Sequence, residues 1–126
     1  MRVIIVTFIL FCVFLSLGFY TVSFLDKTSS SMADILNKIE KAVVQENWPD
    51  ANKSLSVLEK QWRQNQPYWS ILINHHEIDN IELSITHIKE YIKSKNTSEA
   101  RAEIAGMKLF LKHIPENEKL SLENVL

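Results

Sequence analysis

Glycine is nearly absent from this chain: of 126 residues only Gly18 and Gly106 are glycine. Phosphate-cradling and dinucleotide loops need several glycines, because only a residue without a Cβ lets the backbone approach a phosphate closely. Those nucleotide-binding motifs are therefore excluded. Cysteine is scarcer still, with Cys12 alone, so the sequence holds no intramolecular disulfide and no thiolate zinc site. Neither sign of charge is in excess. Fourteen basic and 15 acidic residues give a formal charge of -1, and without Arg2 the chain carries 13 basic and 15 acidic residues. That near-balance argues against nucleic acid, whose phosphates reward a basic patch, and against strong attraction to anionic lipid heads.

What the chain does have is one uninterrupted apolar run, VIIVTFILFCVFLSLGFYTVSFL, at residues 3–25. Sixteen of its 23 positions are Val, Ile, Leu or Phe, worth roughly -5 to -10 kcal/mol toward the bilayer on an insertion scale before polar corrections. As a helix it would reach about 35 Å against a hydrocarbon core of about 30 Å. A cleaved secretory signal has a shorter apolar stretch and small residues before the cut. Here the stretch is too long, and Ser16-Leu17-Gly18 lies inside it, so an uncleaved anchor is expected. Phe11 before Cys12 argues against a lipoprotein site, which makes Cys12 a membrane-buried residue. A short basic start followed directly by the run resembles a bacterial signal-anchor, which places the carboxyl-terminal domain outside the cytoplasm.

The remaining hundred residues suffice for one small domain and not two. The expected division is an anchor over 1–26 and a helical domain over 27–126. Asp26 to Ser31 reads as a polar linker or helix start. Met32, Ile35, Leu36, Ile39 and Val43 recur at three- and four-residue steps, predicting a helix over 31–46. Asn47-Trp48-Pro49 opens a second helix over 49–64, with Trp48, Ala51, Leu55, Leu58 and Trp62 on its core face. Pro67 is expected to start a third, over 67–94, where Ile71, Ile78, Ile85 and Ile92 fall seven apart and Ile81 and Ile88 fill the intermediate positions. That heptad reads as a partner-facing seam, with Asn74 in a slot where another apolar residue belongs. Asn96 with Glu99 has capping-box character and opens a fourth helix over 97–113, whose core face is Ala100, Ile104, Met107, Leu111 and Ile114. Pro115 is expected to end it, leaving Leu120, Leu122, Val125 and Leu126 as a docking tail.

Ala51, Leu55, Leu58 and Trp62 match Ala100, Ile104, Met107 and Leu111 at a constant offset of 49 residues. The fold class is accordingly all-α: an N-terminal transmembrane helix followed by a small antiparallel four-helix bundle or two stacked helical hairpins.

The most suggestive local chemistry is His75-His76-Glu77-Ile78-Asp79 with Glu82 beyond. His75, Asp79 and Glu82 are four and seven apart, so they line one helical stripe where an oxygen- and imidazole-preferring metal would fit. The order differs from H-E-x-x-H, and no zinc protease is implied. The competing reading is a polar pair at the core edge plus a solvated histidine, and no residue is assigned as catalytic, cofactor-binding or metal-binding. Trp48 and Trp62 read as core, while Tyr68 and Trp69 would staple a helix start or, if exposed, form a contact surface or a belt at the membrane. Lys89, Lys93, Lys95, Arg101, Lys108, Lys112 and Lys119 are interleaved with Glu90, Glu99, Glu103, Glu116 and Glu118, the pattern of a solvated face.

One amino-terminal span, Trp48-Pro49-x-Ala51, Trp62, Trp69, His75-x-x-Ile78-Asp79 and the terminal Ser121-Leu122-x-Asn124-Val125-Leu126 together resemble the bacterial family called domain of unknown function 4363. The resemblance covers nearly the whole chain and implies a small membrane-anchored helical protein with no assigned activity or catalytic residues. It also implies an accessory role beside another membrane protein. The resulting expectation is a non-enzymatic, single-pass cell-membrane protein without cofactor, which contacts lipid through residues 3–25 of its anchor and another envelope or membrane protein through its helical domain. The alternative is a small metal- or ligand-binding, hydrolytic site on His75, Asp79 and Glu82. A third reading is a homo-oligomer joined through the Ile71 to Ile92 seam.

Overall fold

The computed structural model describes residues 1–125, in which four helices follow one another with no strand among them: α1 Arg2–Val44, α2 Trp48–Leu72, α3 His75–Lys93 and α4 Thr97–Val125. The α1 helix packs against α2 and α4, and α3 packs against the same two. The result is an up-down-up-down bundle in which each helix lies beside its chain neighbours and α4 closes against α1. Leu126, expected in the docking tail, lies outside the described residues.

The apolar run and the first bundle helix are one continuous helix rather than two joined by a linker. Residues 26–31 stay helical because the stretch buries one face in the bundle, and a local polar composition does not outweigh that packing. Thr28 Oγ1 donates to the Phe24 carbonyl at 2.8 Å, and one face of this stretch, Leu25, Ser29 and Met32, is buried. Since Leu25 is fully buried in the core and Phe24 packs against it, the expected division between residues 26 and 27 falls inside a packed helix.

Both internal prolines are passed over. Pro67 neither starts a helix nor ends one, and α2 runs on to Leu72. Its ring removes one hydrogen bond to the Arg63 carbonyl, and Ser70 Oγ bonds the Gln66 carbonyl at 2.8 Å just beyond it. The segment after Pro67 carries Trp69, which is fully buried, and that burial favours keeping the turn. Pro115 is likewise inside α4 and buried, with Ile114 beside it in the core. The tail that was expected to dock after a break is therefore helical through Val125.

The true break between α2 and α3 is at Ile73 and Asn74, both in extended conformation. Asn74 is polar because it caps α3: its side-chain oxygen accepts from the His76 backbone N–H at 2.8 Å. The isoleucine seam is correspondingly redistributed. Ile78, Ile81, Ile85, Ile88 and Ile92 on α3 are buried inside the bundle, while Ile71 belongs to α2 and is 82% exposed. The partner-facing seam is thus replaced, from Ile78 to Ile92, by an internal core face.

The 49-residue offset recurs in backbone geometry. After α1, Glu46 N–H bonds the Val43 carbonyl and Asn47 N–H the Ala42 carbonyl; after α3, Lys95 N–H bonds Ile92 and Asn96 N–H bonds Tyr91. Each is a Schellman-type ending. The following helix is then capped alike, with Asn47 Oδ1 accepting from Asp50 N–H at 3.3 Å and Asn96 Oδ1 from Glu99 N–H at 3.2 Å. Ile39 and Ile88, Val43 and Ile92, and the four pairs named above are all buried. The bundle is two matched helical hairpins.

Candidate functional site

The His75, Asp79 and Glu82 stripe lies on the outside of α3. All three side chains are exposed, His75 being the first residue of the helix. Among the described residues no group of three or more His, Cys, Asp or Glu is gathered closely enough to hold a metal ion. The histidines that do meet acids are elsewhere: His87 Nδ1 lies 3.4 Å from Glu103 and His113 Nδ1 lies 3.5 Å from Glu116. These pairs needed α3 and α4 to be placed side by side, or a helix to pass through Pro115. Neither was visible from the local pattern.

The lysines behave as a solvated face with a few crosslinks between helices. Lys89 Nζ donates to Glu59 Oε1 at 3.0 Å, joining α3 to α2, and Lys108 pairs with Glu40, joining α4 to α1. An open groove of about 510 Å³ between α1 and α2 is lined by Lys38, Lys41, Asp50 and Lys53 together with Ile35 and Val57.

The aromatic residues divide in two. Trp62 and Trp69 meet edge to face, with ring centroids 5.7 Å apart at 79°, and Trp48 is partly buried beside the core. Trp69 is not the staple expected of a helix start: its Nε1 donates to Thr28 Oγ1 at 3.0 Å across the α1–α2 interface. Trp62 Nε1 is buried with no partner. Tyr68, by contrast, is 61% exposed and lays its ring against Phe24, centroids 6.0 Å apart at 68°.

These contacts locate one end of the bundle on the apolar run. The last turns of α2 reach Tyr20, Thr21 and Phe24, forming with Tyr68, Ile71 and Leu72 an apolar groove of about 470 Å³. The last turns of α4 reach further along α1. A Cβ added to Gly18 would stand 2.7 Å from Leu122 Cδ1, so the missing side chain is what lets α4 lie this close. At the same end Glu118 titrates above the ordinary carboxyl range, first because burial disfavours its charge and second because Glu77 faces it. Beyond the reach of α2 and α4, residues 3–14 are exposed all round. The α1 helix as a whole contains an apolar stretch long enough to cross a membrane, a property that a signal sequence near an N-terminus shares.

No curated protein and no solved structure matches the chain. A family profile described as "Domain of unknown function (DUF4363)" matches residues 19–125, starting one residue after the glycine where α4 meets α1. It thus takes in the whole of the bundle and leaves out most of the exposed apolar stretch. On that match the chain belongs to the family of domain of unknown function DUF4363.

Proposed function

We propose that the protein is a non-enzymatic, single-span protein of the cell membrane, whose four-helix body stands outside the cytoplasm and binds or steadies another envelope or membrane protein. The observation that carries this reading is the unbroken passage of α1 from fully exposed apolar residues into the bundle core at Leu25. A helix of 43 residues is a rod of about 65 Å, and one with no hinge holds the body in a fixed stance above the lipid. A partner that is already fixed loses less freedom on association. The flanks of the bundle offer Val57, Leu83, Leu109 and Phe110 as exposed apolar contacts, and the short basic start at Arg2 favours the orientation.

The test is site-specific photocrosslinking from Phe110 in intact cells at native expression, with protease added outside the cytoplasmic membrane. The expected result is a discrete adduct with another membrane or envelope protein, and cleavage of the carboxyl-terminal body without lysis. Adducts with lipid and with copies of the chain only would overturn the accessory role. Cleavage only after lysis would overturn the sidedness.

A further inference from the structure

If α1 spans the bilayer, as the proposed function holds, the lengths do not close without the end of the bundle. The part of α1 that is exposed all round, residues 3–14, rises about 18 Å, and the hydrocarbon core it must cross is about 30 Å thick. Tilting shortens the reach further. The missing length is supplied by the next turns, and Gly18, Tyr20, Thr21 and Phe24 are the residues against which α2 and α4 pack. Whatever surrounds those turns lies at the membrane boundary.

The side chains there suit that place. Ile71 is 82% exposed, and Tyr68 on α2, Leu120 and Val125 near the end of α4 and Tyr20 on α1 are exposed as well. In water these apolar side chains would stand uncovered around the base of the apolar run. At the boundary between acyl chains and headgroups, tyrosines are well placed because the ring is apolar and the hydroxyl stays wet. Glu123 and Asn124, exposed on the last turn of α4, and the exposed His75 and His76 at the start of α3, set the depth. Charged and polar groups hold that surface among the headgroups and prevent deeper entry. We infer that the end of the bundle formed by Tyr68 and Ile71 on α2 and Leu120 and Val125 on α4 is a second membrane-contacting surface, seated in the lipid interface around the base of the anchor. Its occupant is lipid. The surface is continuous with the anchor, and the shortfall in length brings the two together.

The test uses the full chain with Cys12→Ser as background and single cysteines introduced at Leu10, Ile71, Leu120 or Ser98, each labelled with an environment-sensitive fluorophore and reconstituted into phosphatidylcholine vesicles. All four positions are exposed, so the labels leave the core intact. Quenching is read with lipids spin-labelled either near the headgroup or near the end of the acyl chain. The expected result is that the Ile71 and Leu120 labels lose most of their intensity to the shallow quencher. The Leu10 label should respond to the deep one, and the Ser98 label, at the far end of the bundle, to neither. A quenched Leu10 label with unquenched Ile71 and Leu120 labels overturns this inference and leaves the anchor standing. An unquenched Leu10 label overturns both.

Discussion

Glu46 and Lys95, 49 residues apart, take the same left-handed backbone conformation, with φ of 54° and 55°. They are the αL residues of the two Schellman endings, positions where glycine or asparagine is usual. For a side chain with a Cβ this conformation costs about 1–2 kcal/mol, and asparagine tolerates it better. Glu46→Asn and Lys95→Asn should each raise the stability of the detergent-solubilised chain by about 0.5–1 kcal/mol. Glu46→Val should lower it by at least as much. Equal effects at the two sites in thermal melts would establish their equivalence; a loss with asparagine would refute it.

Gly18 and Leu122 form a pair that a double-mutant cycle can isolate. Replacing a helical glycine with alanine ordinarily stabilises by about 0.5–1 kcal/mol, but here the new Cβ would meet Leu122 Cδ1 at 2.7 Å. Gly18→Ala should therefore gain little or nothing alone and recover its gain in a Leu122→Ala background. Gly18→Val should detach the end of α4, detected as faster proteolysis after Pro115. Additive effects would show that the two helices are not in contact there.

Trp62 and Trp69 should respond differently to the same substitution. Trp69→Phe removes the N–H bonded to Thr28 and leaves a gap in the core, at a cost of about 1–3 kcal/mol. Trp62→Phe deletes an N–H that has no partner, which offsets the lost volume, so its cost should stay below about 1 kcal/mol. Denaturant midpoints give the ranking directly. A larger loss at Trp62 would reverse the assignment.

The raised pKa of Glu118 has a defined sign. The folded chain holds this proton more tightly than the unfolded one, so the contribution is fully present below the ordinary carboxyl pKa and is lost as pH rises through the folded value. Glu118→Gln should consequently be more stable than the wild type near neutrality and lose that advantage in acid. Melting temperatures across the acid range test it, and an advantage that grew on acidification would contradict the stated cause.

The core faces were legible because helical periodicity depends only on neighbours along the chain. Met32 to Val43, Ala51 to Trp62 and Ala100 to Ile114 were read from spacing and are buried. The 49-residue match was legible for the same reason. Helix ends were not, wherever tertiary contact outweighed a local signal. Pro67 and Pro115 are stops by their own chemistry, but Trp69 and Leu122 have partners on α1 that reward continuing, and those partners are 41 and 104 residues distant. The isoleucine heptad shows the complementary failure: spacing established that Ile78 to Ile92 share a face, and only the packing of α3 on α2 and α4 established what that face meets. The exposed His75, Asp79 and Glu82 stripe was read from spacing alone, and among the described residues it does not gather three such side chains closely enough to hold a metal ion.

Because Leu25 belongs to the core and α4 ends against Gly18, trimming the chain to obtain a water-soluble fragment beginning at Lys27 would amputate a wall of the fold itself. Such a fragment would strip Tyr68 of its aromatic neighbour and leave Leu122 facing nothing. Biophysical work on this molecule is better begun with micelles or nanodiscs around the intact chain, where greasy stem and folded head remain a single object.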